Sequence, residues 1–388
     1  MPLGDNTLLL HDDDILNKYV DNKFQKINIK QYYKQNKKSI YVWIFAILLL
    51  IGGSFQAASL PYWEASFPSE TGGSYFIICF AALIAVVVLS IPMIIIKIIK
   101  KYKVPSFKKF WLSYFAQGLS NQLNGIFVIY AASMYRTPPV LMVMLQNTGV
   151  FWSIITRSLL VRNKKINYCS IKPFISLLFL SIAIFIMMLA KIFYDTNKSI
   201  FSWTSIFWTG CATIGAFFGT LYNTIQEKYL DESGKILNTS EKKFNYIYTV
   251  VISYICQILF MILFFWVDII PGFGYSNIYT FLPNLFNSIK CYFNGLKNFL
   301  LGSTFCVGFL LTYVSSSVLN EDSSGFVMYV NALQTPFCAV VFYIIQQKTQ
   351  DTPIWAAIPS LILIFIGVCI WKYWESHREQ SRSEYNPV

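Results

Sequence analysis

The side chains that could do chemistry inside the apolar stretches of this sequence are almost all carboxamides. Gln146 and Asn147 sit in the middle of one apolar run, and Asn331 and Gln334 in another near the C-terminus. Asn121 and Asn124 recur with Ser113, Gln117 and Ser120 at steps of three, four and seven, which puts them on one helical face. Gln56, Asn223 and Gln257 add one amide each from three further runs, the last two on faces shared with Thr209, Thr213 and Thr220 and with Thr249 and Ser253. An amide is neutral and both donates and accepts, so a cluster of them suits a zwitterion or a peptide group without a fixed counter-charge. At bilayer depth such groups must face protein or water. They are expected to line a mid-depth, water-filled cavity, or to bond between helices. Catalysis is disfavoured: the two histidines, His11 and His377, lie in the tails, and no paired acids or metal-ligand cluster occurs in the apolar runs. The chain is therefore expected to be no enzyme and to need no cofactor.

Membrane-spanning helices must position these groups. The chain is 55% hydrophobic and 13% charged, against about 25% charged in soluble domains. Ten runs approach the roughly 20 apolar residues that cross a bilayer: 40–61, 74–97, 110–132, 139–161, 172–193, 201–224, 246–268, 299–319, 325–346 and 353–372. Residues 1–39 are polar, so the first run is expected to serve as its own insertion signal. Leu145-Gln146 falls on Leu333-Gln334 at an offset of 188 residues, and Ile214-Gly215-x-x-Phe218 echoes Ile51-Gly52-x-x-Phe55. An odd number of helices per repeat turns the second repeat over. The predicted fold is an all-α, polytopic membrane protein of ten transmembrane helices in two inverted five-helix repeats. Its parts are a tail over 1–39, repeats over 40–200 and 201–374, and a tail over 375–388.

A net charge of +12 invites a nucleic-acid reading until its placement is checked. Of the 31 Lys and Arg, 24 fall in the tails, at Lys372 just before the second tail, and in 97–109, 162–172 and 226–245. Arg136, Lys191, Lys198, Lys290, Lys297 and Lys348 fall on the other side, with Arg157 inside the fourth run. This asymmetry makes both termini cytosolic and loops 62–73 and 269–298 lumenal. It excludes nucleic acid as a partner and leaves membrane lipid as one. Within loop 269–298, Ile278, Phe281, Leu282, Leu285, Phe286 and Ile289 predict an amphipathic helix along the membrane surface. Trp371 and Trp374 are expected to anchor the last helix at the interface. The eight cysteines show no metal or redox spacing, and Cys291 is alone in the long lumenal loop. Asn197-Lys198-Ser199 lies too close to the membrane to be an expected glycosylation site. In the N-terminal tail, Asp5-x-x-x-Leu9-Leu10 reads either as an acidic dileucine signal for adaptor proteins or as a chance match.

The order Arg136-Thr137, Leu145-Gln146, then Gln334-x-Pro336 with Tyr343 downstream resembles the chloroquine-resistance-transporter-like family of the drug/metabolite transporter superfamily. The long loop with its amphipathic segment is similar too. The resemblance implies alternating access around a central cavity. It also implies export of small solutes, such as amino acids, short peptides, thiol compounds or cationic drugs, from an acidic endolysosomal or digestive organelle. The protein is then expected to be a monomer or homodimer. The alternative is a Golgi or plastid-type nucleotide-sugar or phosphate exchanger, which needs basic residues deep in the cavity. An exporter of the first kind draws on the proton gradient, and the candidate coupling groups are the mouth carboxyls Asp268 first and Glu64 second.

Overall fold

The computed structural model describes residues 29–68, 72–132, 136, 147–161, 170–194, 203–338, 340 and 354–385. The chain divides into two units, Met1–Ile44 and Phe45–Val388. The described part of the first is helix from Ile29 onward. Gln146, Tyr343, the Asp5–Leu10 segment and the Asn197 sequon lie outside the described residues.

Apolar runs with no water at hand must satisfy their backbone internally, and a helix does so within one segment. The described elements are accordingly helical, with no strand among them. We label them α1 (Ile29–Glu64), α2 (Ser74–Lys100), α3 (Phe107–Ala131), α4 (Gly149–Leu160), α5 (Ile171–Tyr194) and α6 (Trp203–Gly234). After these come α7 (Thr239–Leu263), α8 (Phe281–Asn294), α9 (Leu296–Asn320), α10 (Ser324–Ala332) and α11 (Ile354–Tyr385). Among the described residues five helices are long and apolar enough to cross a membrane: α1 over Ile40–Glu64, α2, α7, α9, and α11 over Trp355–His377. The protein is membrane-embedded. α3 and α6 are as long but carry the buried polar stripes, and α4 and Ile171–Met187 of α5 are shorter apolar helices.

Several boundaries differ from the hydropathy reading, each for a local reason. α6 runs ten residues past 224 as a polar extension, stopping before the turn that Asn238 closes. Asn238 accepts from Glu241 N–H while Glu241 Oε2 takes the Asn238 N–H, a capping box that starts α7. The run 325–346 is interrupted at Leu333, because Pro336 has no N–H for the Ala332 carbonyl. Leu333 N–H turns back to Val330 O instead, at 3.1 Å. Trp371 and Trp374 are both buried against protein, Trp371 with its ring 4.7 Å from that of Tyr329. The reason is that α10 packs on α11 and covers that face.

α3 packs along α6 and α7, α4 lies on α6 and α10, and α5 pairs with α11. Glycine is needed where helices cross closely, as two examples show. A methyl on Gly52 of α1 would lie 2.8 Å from Gly308 O of α9, and one on Gly215 of α6 would lie 2.6 Å from the Val128 side chain of α3. The turns 101–106, 235–238 and 321–323 gather at what we call the basic end, where Lys103 N–H meets Glu241 Oε1 and Tyr246 bonds Glu321. At the far end, Ser288 Oγ donates to Gly72 O at 3.1 Å. Trp63 packs there in tilted and edge-on contacts with Phe67, Phe76, Tyr292 and Phe305. The predicted amphipathic helix is α8, with Phe281, Leu285 and Ile289 against the core and Leu282 and Phe286 exposed.

Candidate solute cavity

The polar face of α3 meets polar faces of α6, α7 and α9 around one cavity with about 1380 Å³ of free space, including its open mouth. Eight of the amides singled out in the sequence line it: Gln56, Asn121, Asn124, Asn147, Asn223, Gln257, Asn331 and Gln334. Among the described lining residues none is Asp, Glu, Lys, Arg or His.

The amides are wired in a definite direction. Tyr313 O–H donates to Asn121 Oδ1 at 2.6 Å, Asn121 Nδ2 to Gln257 Oε1 at 2.7 Å, and Gln257 Nε2 to Gln122 Oε1 at 3.4 Å. Gln122 and Gln117, both fully buried on α3, do not line the cavity but sit behind it. Gln56 donates to Thr312 Oγ1 at 2.6 Å, bridging α1 and α9. Gln334 Nε2 meets Asn331 Oδ1 at 2.8 Å across the turn that Pro336 imposes, and the amide packs onto Gly53. Any side chain at Gly53 would occupy the space of that amide. Asn147 Nδ2 reaches Thr335 Oγ1 at 3.5 Å, a weak contact by distance.

The lining reaches Leu60, Pro61 and Ala132, which close α1 and α3 at the far end, and stops at Asn223 and Ser316 toward the basic end. Beyond that point the helices touch. Asn320 Nδ2 donates to Asn223 Oδ1 at 2.8 Å and to Gln226 Oε1 at 2.7 Å. Next comes Arg157, 1% exposed, with Glu227 at 0% and Glu375 at 3%. Its Nε lies 3.0 Å from Glu227 Oε2, its Nη2 3.0 Å from Glu227 Oε1, and its Nη1 2.9 Å from Glu375 Oε1. Ser324 adds its N–H and hydroxyl to Glu227 Oε2, and Ser323 Oγ donates to Glu375 Oε1 at 2.6 Å. By sequence alone Glu227 reads as a helix end and Glu375 as part of a tail. What could have found them is Arg157 itself, since an arginine in an apolar run needs a carboxylate nearby.

The two mouth carboxyls stand apart from the lining. Asp268 is 5% exposed and accepts from Tyr130 O–H at 2.7 Å. Glu64 is 6% exposed and accepts from Ser74 Oγ at 2.6 Å. Near them Arg136 donates to Tyr130 O at 2.9 Å and Phe273 O at 2.7 Å. Its guanidinium stacks 4.0 Å from the Trp208 ring and 4.5 Å from that of Tyr275.

No family model matches the chain, and no curated protein matches it. Eighteen solved chains are similar to it. One crystal structure, described simply as that of a protein, superposes with a TM-score of 0.53 at 8% sequence identity, over 87% of this chain and 98% of the other. At that identity the likeness speaks for the fold alone.

Proposed function

We propose that this chain is a secondary transporter of the drug/metabolite superfamily that moves small neutral or zwitterionic solutes by alternating access. The observation that carries the reading is the cavity itself: amides from α1, α3, α6, α7 and α10 converge among apolar helices with no charged lining residue described. Groups that can both donate and accept serve amino and carboxyl ends alike. A phosphate exchanger is less well supported, because phosphate calls for basic side chains at the site.

Ten spans in two inverted repeats are part of the same proposal. The contact of Asn147 with Thr335 supports it, because the two are separated by the 188-residue repeat offset. A residue near a two-fold axis touches its own counterpart. The crossings of Gly52 with α9 and Gly215 with α3 are matched in the same sense. The cytosolic termini, the acidic endolysosomal location, adaptor binding through Asp5-Leu9-Leu10 and proton coupling through Asp268 or Glu64 complete the proposal.

Counterflow of labelled amino acids or dipeptides in vesicles tests it. Preloaded unlabelled solute should drive transient accumulation, and Gln257→Leu or Gln334→Leu should lower exchange roughly ten- to a hundredfold by removing one buried hydrogen-bonding group. Wild-type exchange in both variants would sink the assignment of the amides to the solute. Asp268→Asn should abolish the rise of export on lumenal acidification, and retention of that rise would remove Asp268 from coupling.

A further inference from the structure

The two sides of the cavity are unequal in a way the amides do not explain. Toward the far end the lining continues to Pro61 and Ala132, whereas toward the basic end it stops at Asn223 and Ser316. The barrier there has two layers. Asn320 ties Asn223 to Gln226 first. Behind it, Arg157 of α4 holds Glu227 of α6 and Glu375 of α11, with Ser323 and Ser324 of the α9–α10 turn drawn in. Thr156 Oγ1, next to Arg157, also meets Thr224 Oγ1 at 2.8 Å. One cluster thus pins four elements at one level. Arg157 comes from the first half of the chain and its carboxylates from the second.

Stability alone does not account for three ionisable groups at that depth. The desolvation of two charges offsets most of their attraction, and apolar residues of similar volume usually serve as well or better. Apolar residues would, however, favour only the closed arrangement. A triad of charges is paired when dry and hydrated when wet, so its closed and open states lie close in energy. That is the property of an element with two arrangements.

We propose that Arg157, Glu227 and Glu375 form the latch of a gate at the basic end, shut in this structure, whose release opens the cavity on that side. The proposal rests on the transporter reading for its purpose but not for its test. Ser316→Cys supplies a reporter thiol at the closed end of the lining. The full-length protein is placed in vesicles with the basic end outward, treated with a membrane-impermeant maleimide, and compared with the parent lacking the new thiol.

Glu227→Gln keeps the shape and removes the charge, and it should raise labelling of the reporter thiol from the basic side roughly tenfold by shifting the closed-to-open ratio. The triple variant Arg157→Met, Glu227→Leu, Glu375→Leu removes all three charges together, so it stays folded. It should label more slowly than the reporter protein with its triad intact and exchange no solute. Unchanged labelling in Glu227→Gln, or a folded triple variant that labels as fast as the reporter protein with its triad intact, overturns the latch. If Glu227→Gln fails to fold, the triple variant decides alone. Shifted labelling in a protein without any counterflow would instead overturn the transporter reading and leave the gate standing.

Discussion

At the basic end Arg157 is gripped by two carboxylates through three nitrogen–oxygen contacts at 2.9–3.0 Å, inside a region closed to solvent. At the far end Arg136 is half-buried, donates to two backbone carbonyls and lies against the rings of Trp208 and Tyr275. Both are guanidinium groups near the end of a polar cavity, yet they demand opposite surroundings. A carboxylate grip is strong only where water is excluded and must be broken before water enters. Ring faces and carbonyls hold a cation that keeps part of its hydration, so a wet neighbourhood costs little there. The cavity lining reaches the end with the second kind of grip and halts before the first.

The largest way to break this comparison is Arg157→Ala, which leaves two carboxylates buried without their cation. It should lower stability by about 3–5 kcal/mol, read as a fall in the unfolding midpoint of the detergent-solubilised protein. A loss below about 1 kcal/mol would mean that Arg157 is already wet. Arg136→Ala should cost less, about 1–2 kcal/mol, since it removes stacking and two carbonyl bonds but strands no directly bonded carboxylate. An equal loss in the two variants would erase the distinction between the ends. Tyr130→Phe removes only the hydroxyl that donates to Asp268, and about 1 kcal/mol is expected in the same melting measurement. Smallest of all, Lys372→Met severs the partly exposed Lys372–Asp322 pair at 3.6 Å, and the expected change is about 0–1 kcal/mol, shrinking further in high salt.

Much of the cavity's amide lining is legible in the sequence. Asn121 and Asn124 betray their shared face by spacing alone, and the scarcity of amides in apolar runs made each one conspicuous. The same logic failed for Glu227 and Glu375, because both sit where a helix leaves its apolar stretch. There a carboxylate reads as a solvated end group, and only the packing of α4, α6 and α11 shows it dry. Trp371 has the same limit: a tryptophan at the end of an apolar run is read as an interface anchor, and its burial under α10 is visible only in the packing.

By itself the sequence determined that this is a helical membrane protein and which polar groups its apolar runs carry. Composition and periodicity are local properties, and a bilayer turns them into structure by requiring every backbone group to be bonded within its own segment. Only the tertiary structure decided which amides face one space and which are buried away from it, as Gln117 and Gln122 are. It alone also decided that Arg157 closes with two glutamates 70 and 218 residues away. Such pairings depend on how helices are rotated and packed against one another. That choice is made by glycine crossings such as Gly52 against Gly308, where the missing side chain on each helix is what lets the other approach.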